Sequence, residues 1–353
     1  MRSLSRASAL GRAAALVAIA GLACPLGCAL LRPADRATEV AATSEPILDP
    51  PRRPGVPLVL VAMPASVSFQ TTRQSLVTEI GKTFDVSTVT VEPSTPLVEL
   101  AAAIDKQAPA CLVLMNNATV RLYREYQRSR PGATFPPAII VMTSFLEDIR
   151  HELAGATGIA YEVPGVTAFV GLRAIVTTPV TRVGVLHSRY SRPFIERQRV
   201  LAAKEQIDLV PVEVTAERPT IADVRLALRA LRTVHHIDAL WVLNDNRLLR
   251  DGPFLRDAWT PVLDSLGVPV IVGAAPLVNP DAPFGTFAVL PDHAALGTQT
   301  ANLILDLAED EWRIDLHPVE LPLSTISVLD VAQARARFGL RPEALNRVDR
   351  PLE

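Results

Sequence analysis

The sequence has few cysteines, and this scarcity limits the chemistry that the chain can support. Only three of its 353 residues are Cys, and two of these, Cys24 and Cys28, lie close together near the N-terminus. Their spacing does not match a redox or zinc pair, and a disulfide framework is excluded. The remaining thiol, Cys111, stands in the apolar run 110–114, where we expect it to be buried and unreactive.

The sequence also lacks an excess of charge of either sign. Lys and Arg number 35 and Asp and Glu number 37, which gives a formal net charge of −2. A nucleic-acid-binding protein usually carries a basic excess, so no nucleic-acid partner is expected. Hydrophobic residues make up 49% of the chain and charged residues 20%, which is a globular composition, and the length corresponds to about two domains.

Several motifs of enzymes and nucleotide-binding proteins are missing. The chain contains no Gly-x-Ser-x-Gly, no His-Glu-x-x-His and, after its first predicted strand, no Gly-x-Gly-x-x-Gly. Residues 81–83 look like the end of a phosphate-binding loop, but Leu76 stands where that loop requires glycine. His235 and His236 follow a predicted helix, whose dipole favours them at its solvated C-terminus. We therefore expect no catalytic residue, metal or cofactor.

The longest apolar run near the N-terminus, residues 13–23, is too short to cross a bilayer. Arg2, Arg6 and Arg12 precede it, and small residues and a cysteine follow, as is typical of an export signal over residues 1–23. Segments 22–24 and 26–28 resemble a bacterial lipobox, which implies lipidation of Cys24 or Cys28. We prefer Cys24, since its apolar run has the usual length; a cleaved signal with incidental cysteines is the alternative. Removal of the signal leaves 32 basic and 37 acidic residues.

Residues 24–55 are predicted to be a flexible tether, because they are rich in Ala, Pro and Thr and show no apolar periodicity. From residue 56 on, short apolar runs alternate with amphipathic stretches, and the pattern restarts at 182 after a break at 177–181. Continuous apolar strands separated by helices indicate parallel sheets covered on both faces. The sequence predicts an α/β fold with two Rossmann-like lobes, and a TIM barrel is the alternative.

Polar side chains follow several predicted strands at the point where each strand ends. Ligands of open α/β sheets bind at the carboxyl ends of strands, so we predict a cleft for a small polar or zwitterionic ligand. Asp245 is the candidate partner for an amine, and Tyr190 could offer a stacking face. For each Ser, Thr, Asn or Asp, a role as helix N-cap is the alternative. The predicted ligand-binding residues are Ser66, Ser68, Asn116, Asn117, Thr143, Ser144, His187, Ser188, Tyr190, Asn244, Asp245 and Asn246.

Five segments, 182–186, 236–246, 284–289, 292–301 and 339–349, stand in a characteristic order and spacing. In this respect residues 56–353 resemble the substrate-binding proteins of bacterial ABC transporters, in the subfamily of tryptophan- and tyrosine-type binders. The first half departs from that pattern: the linker is reduced to 154–158, and Thr143-Ser144-Phe145 replaces an Asp after the fourth strand.

The resemblance implies a type I periplasmic-binding fold, in which two lobes with parallel sheets are joined by crossing hinge segments. Lobe 1 would contain residues 56–178 and part of 291–324, and lobe 2 would contain 179–290 and part of 325–353. Crossings are expected near 177–181, 290–292 and 321–325. Residues 244–246 would then face Asn116, Thr143 and Ser144 across the cleft.

The function that these features predict is that of an exported solute-binding lipoprotein of the periplasm or cell envelope. It would be a lipid-anchored monomer without enzymatic activity that captures a small polar or amino-acid-like ligand and delivers it to an ABC permease. The alternatives are a sensory module of the same fold, an envelope protein of that fold that has lost ligand binding, and an enzyme on a doubly wound fold.

Overall fold

The computed structural model describes residue 47, residues 49–282 and residues 284–353. The predicted signal 1–23, the lipidation candidates Cys24 and Cys28 and most of the predicted tether lie outside the described residues. Within the described ranges, no helix combines the length and apolar character that a membrane crossing requires.

Twelve strands in the described ranges form two separate sheets. A parallel five-stranded sheet has the order β2-β1-β3-β4-β5, and a seven-stranded sheet has the order β12-β11-β10-β9-β8-β6-β7 with only the β10–β11 pair antiparallel. Two open sheets exclude the single barrel. The strands are β1 (Leu58–Met63), β2 (Asp85–Thr90), β3 (Cys111–Met115), β4 (Ala138–Val141), β5 (Ala156–Gly158), β6 (Arg182–Ser188), β7 (Asp208–Val214), β8 (Ala239–Val242), β9 (Val270–Val272), β10 (Phe287–Pro291), β11 (Thr325–Asp330) and β12 (Arg350–Leu352).

Helices cover both faces of each sheet, which explains why most strands are continuous apolar runs. Strands β1, β3 and β4 are buried along their whole length, and Cys111 is a buried free thiol whose pKa burial raises to about 12. The helices are α1 (Val67–Ile80), α2 (Leu97–Gln107), α3 (Asn117–Arg128), α4 (Leu146–Ile149), α5 (Gly165–Ile175), α6 (Arg192–Lys204), α7 (Ile221–Thr233), α8 (Gly252–Phe254), α9 (Thr260–Leu266), α10 (His293–Glu309) and α11 (Val331–Arg337), with a π-helical turn Leu255–Trp259 between α8 and α9.

The chain first leaves lobe 1 after β5, through residues 159–164, so the expected crossing at 177–181 is wrong. Helix α5 belongs to lobe 2, because Phe169 and Leu172 pack in one apolar cluster with Val183 and Trp241. The break at 177–181 is a turn inside lobe 2, where the Thr177 amide donates to the Gly339 carbonyl at 3.1 Å. The sequence pattern restarts there because a new βα unit begins with β6. The alternation of strands and helices along the sequence does not show which sheet a helix packs on, so the sequence could not assign α5 to lobe 2.

The chain returns to lobe 1 for one long helix near its end. After β10, Asp292 caps α10, which packs along α1 and joins the lobe 1 core through Leu296 and Leu303. The two helices approach closely at Gly297, where an added Cβ would lie 2.1 Å from the Thr72 carbonyl oxygen. A short bridge between Ile159 and Glu320 precedes the passage of residues 321–324 back to β11 in lobe 2.

Residues 49–53, which the sequence assigned to the flexible tether, are fixed to the edge strand β2. Asp49 accepts hydrogen bonds from the Arg73 guanidinium at 2.6 Å and from the Thr88 amide at 2.6 Å. Arg53 pairs with Asp85 at 2.7 Å, and its hydrogen bonds lower the pKa of that carboxyl group. The segment covers the open edge of the sheet, which would otherwise be free to pair with another strand. The tether therefore ends before residue 49.

Candidate ligand-binding cleft

The twelve residues predicted from strand ends all lie at the carboxyl end of a strand or at the start of the element that follows it. They follow β1, β3 and β4 in lobe 1 and β6 and β8 in lobe 2. The two sets of strand ends approach each other, since Phe145 after β4 contacts Phe194 at the start of α6, with 5.4 Å between ring centroids. The crossing 159–164 begins at the same end of β5. This edge of the two sheets is the cleft between the lobes.

On the lobe 1 side, three of the predicted polar side chains are used by the fold itself. The Asn116 Oδ1 atom accepts from the Ala118 amide at 2.9 Å and caps α3, from a residue with φ of 80°. Asn117 donates to the Ser144 carbonyl at 3.2 Å and accepts from the Ser144 amide at 3.0 Å, which ties the end of β3 to the end of β4. Thr143 is buried and donates to the Val141 carbonyl. These contacts favour the capping alternative for Asn116 and a bracing role for Asn117.

On the lobe 2 side, Asp245 is engaged within its own lobe. It is 4% exposed, and its Oδ2 atom accepts from the Ser188 amide at 3.1 Å and from the Ser191 hydroxyl at 3.0 Å. Its Oδ1 atom accepts from the Arg247 amide at 3.0 Å. A carboxylate surrounded by three internal donors braces the ends of β6 and β8. This geometry favours a structural role over the predicted pairing with a ligand amine.

The other lobe 2 candidates separate into buried and exposed residues. His187 is buried, and its Nδ1 atom lies 3.0 Å from the Ser188 carbonyl oxygen. Tyr190 is 47% exposed, and the Arg247 guanidinium covers its ring at 3.8 Å from the centroid, so its stacking face is occupied. Asn246 is exposed, whereas the Asn244 side chain donates to the Gly273 carbonyl at 3.2 Å and lines a cavity at the base of the cleft.

A second group of polar atoms in the cleft has no internal partner. In the described part of the chain, six buried side-chain polar atoms lack a hydrogen bond, and four of them follow strand ends at the cleft. Thr119 and Ser188 are 0% and 3% exposed. A buried polar group without any partner costs about 1–3 kcal/mol, so these four groups are candidates for hydrogen bonds to water or to a bound ligand. The four atoms are Ser66 Oγ, Gln70 Nε2, Thr119 Oγ1 and Ser188 Oγ.

The cavity at the base of the cleft adds residues that the sequence analysis missed. Its volume is about 30 Å³, and Tyr161, Glu162, Trp241 and Asn244 are among its lining residues. The Glu162 carboxylate accepts a hydrogen bond from the Phe145 amide at 3.1 Å. Burial raises the pKa of Glu162 to about 7. Applying the strand-end rule to the short strand β5 would have found Glu162, which is the first charged residue after it.

Metal chemistry has no candidate site among the residues that the structure describes, since no three His, Cys, Asp or Glu side chains come together in a way that could hold an ion. Two carboxylates of α4, Glu147 and Asp148, instead pair with one guanidinium, that of Arg197 on α6.

No protein-family model and no curated protein sequence matches the chain. Solved structures do match it. An ABC domain from Streptococcus pneumonia in complex with L-Trp has a TM-score of 0.57 at 15% identity, covering 84% of this chain and 100% of that one. The ligand-free, open structure of a substrate-binding protein with adhesive properties from Clostridium difficile has a TM-score of 0.62 at 14% identity, covering 84% and 99%.

A conserved domain protein from Vibrio cholerae has a TM-score of 0.57 at 18% identity, covering 84% of this chain and 100% of that one. The three structures align over nearly their whole length, but their sequence identity to this chain is low, so the likeness shows a shared fold. It confirms the architecture that the sequence resemblance implied: the chain has the type I periplasmic-binding fold, the fold of ABC-transporter substrate-binding proteins.

Proposed function

We propose that the protein binds a small polar solute between its two lobes and carries out no chemistry on it. The observation that carries this proposal is the set of four unpartnered buried polar atoms, three from lobe 1 and one from lobe 2, at the strand ends that face the cleft. A ligand that contacts both sets stabilises the arrangement in which they are close, because it binds that state with the greater affinity.

The chemistry of the cleft favours a ligand rich in hydrogen-bonding groups, of the size of an amino acid. Hydroxyl groups of Ser66, Thr119 and Ser188 can donate or accept, and Gln70 can donate. The carboxylate that lines the cavity is Glu162, which takes the place of Asp245 as the candidate partner of an amine. One solved neighbour was crystallised with L-Trp, which agrees in size and polarity with this class of ligand.

The proposed setting is the cell envelope. The basic and apolar N-terminus predicts export, and Cys24 or Cys28 would carry the lipid anchor, with residues up to 48 as the tether to the folded body. A monomer held at the membrane in this way would deliver its solute to an ABC permease. The fold of the solved neighbours supports the solute-binding part of this proposal.

Thermal unfolding in the presence of amino-acid and metabolite pools tests the proposal. A ligand at 100 times its Kd stabilises the protein by about 2.7 kcal/mol, which gives a clear rise in Tm. Ser188→Ala and Thr119→Val each remove an unpartnered hydroxyl, so we expect affinity to fall by about 5–10-fold with little loss of stability.

Thr178→Val is the matched control. It also removes an unpartnered buried hydroxyl, but from the turn before β6, at the opposite end of the sheet from the cleft. We expect this variant to bind ligand as the unchanged protein does. Absence of stabilisation by every pool, together with absence of any co-purifying small molecule by mass spectrometry, would overturn the proposal.

A further inference from the structure

One aromatic side chain of lobe 1 packs against the core of lobe 2. Phe145 packs against the lobe 2 cluster that contains Phe194, Trp241 and Phe169, and among the described residues before 159 no other hydrophobic side chain joins that cluster. The Phe145 and Phe194 centroids are 5.4 Å apart, and Phe194 and Trp241 centroids are 6.0 Å apart. The ring of Phe145 therefore adds to an aromatic group of the other lobe.

The backbone of Phe145 is in an unfavourable conformation, and the crossing segment holds it there. Its φ of 58° and ψ of 43° lie in the left-handed region, which a bulky residue adopts only where its surroundings fix it. Its amide donates to both carboxylate oxygens of Glu162 at 3.1 Å. This contact connects the start of α4 to the segment 159–164 that joins the lobes.

An ion pair stands beside the aromatic contact and joins the same two helices. The Arg197 guanidinium on α6 donates to both oxygens of Asp148 on α4, each at 3.0 Å, and its Nε atom lies 3.1 Å from a Glu147 oxygen. A bidentate guanidinium–carboxylate pair fixes distance and orientation together. Phe194 and Arg197 lie one turn apart on α6, so one face of this helix makes both contacts.

These contacts leave little space in the cleft. The cavity of about 30 Å³ accommodates a water molecule, whereas sites for small organic ligands are roughly 300–1,000 Å³. A solute of amino-acid size therefore needs more space than this cavity offers.

We propose that Phe145, Asp148 and Arg197 form a latch that closes the two lobes on each other without ligand, with Phe145 packed against the aromatic cluster of lobe 2. Closure of the empty protein is independent of the proposed function; release of the latch contacts by a solute rests on it. The latch makes binding autoinhibited, since a ligand must first release contacts that the lobes already make.

Pulsed electron paramagnetic resonance on the full-length chain tests the latch. Cys24→Ser and Cys28→Ser remove the N-terminal thiols, and Arg128→Cys in lobe 1 and Arg218→Cys in lobe 2 place spin labels at exposed positions. Bound molecules are removed by unfolding in guanidinium and refolding, and their absence is checked by mass spectrometry. We expect one short label-to-label distance in the empty protein and a shift to longer distances in the Phe145→Ala/Arg197→Ala double variant.

Two further variants separate the latch from a general loss of packing. Arg197→Glu changes only a partly exposed side chain and is expected to open the lobes through repulsion from Asp148 and Glu147. Phe135→Ala, which truncates a lobe 1 ring packed on Tyr126 away from the cleft, is expected to keep the short distance. A long distance in the empty unchanged protein, or a short one in both the double variant and Arg197→Glu, would overturn the latch. Ligand binding by a protein that is open when empty would leave the proposed function intact.

Discussion

Replacing Asp245 with alanine distinguishes a structural carboxylate from a ligand partner. The substitution leaves the Ser188 amide and the Ser191 hydroxyl, both buried, without an acceptor, and each such donor costs about 1–3 kcal/mol. The Arg247 amide is partly exposed and can bond to water, so it adds little. We therefore expect the free energy of unfolding to fall by about 2–6 kcal/mol. At roughly 2 °C per kcal/mol for a chain of this size, Tm falls by about 4–12 °C.

Urea unfolding followed by tryptophan fluorescence measures the effect, because Trp241 and Trp259 are both buried in lobe 2. The free energy of unfolding of Asp245→Asn is expected to lie between those of the unchanged protein and Asp245→Ala. Asparagine keeps one acceptor oxygen, but its amide NH2 group faces the same donors. Asp264→Ala, at an exposed position in the same lobe, is the control and is expected to change stability by less than about 0.5 kcal/mol. An Asp245→Ala protein that is fully stable but no longer binds ligand would refute the structural role.

Three further predictions follow from other contacts. Gly297→Ala places a Cβ against the Thr72 carbonyl and is expected to destabilise the protein by about 1–3 kcal/mol in urea unfolding, whereas Gly171→Ala, whose Cβ would be 3.4 Å from Phe287, is expected to be tolerated. The raised pKa of Glu162, about 7 against 4.5 for the ordinary group, means that the folded protein holds this proton more tightly than the unfolded chain. Stability is therefore expected to fall as pH rises from about 4.5 to 7, by up to about 3 kcal/mol, and Glu162→Gln should remove this part of the profile. Asp49→Ala removes the acceptor of the Thr88 amide, so hydrogen exchange at Thr88 is expected to accelerate, and an unchanged rate would show that the segment 49–53 does not protect β2.

The sequence was informative about the fold wherever a strand is buried on both faces. The runs at 57–62, 111–115 and 138–142 correspond to β1, β3 and β4, because continuous apolar residues leave few other solutions. Prediction was weaker where local geometry departs from regularity. The pattern of residues 145–153 is typical of a helix, but the structure has only α4 and a 3₁₀ turn there, and Phe145 before α4 adopts a left-handed conformation. The apolar residues of 317–321 are typical of a strand, but the structure has only one bridge there, at Glu320.

The strand-end rule depends only on where parallel strands end, so it selects residues at one edge of each sheet, and their binding of a ligand stays a prediction. It could not show which polar groups the fold uses internally, since that depends on distant partners: Asn117 pairs with Ser144, and Asp245 pairs with Ser188, 57 residues away. The sequence analysis did not select Phe145 or Arg197 for a similar reason. The important contact of each residue is with a residue of the other lobe.

The return of the chain to lobe 1 affects the order in which the protein can fold during synthesis. Residues 58–158 provide all five strands of the first sheet, but α10, which covers Leu76 and Ile80 of α1, is made only after lobe 2 has been translated. A nascent chain that ends before residue 293 therefore lacks the helix that covers this apolar face. The first lobe can complete its core only when nearly all of the chain has been synthesised.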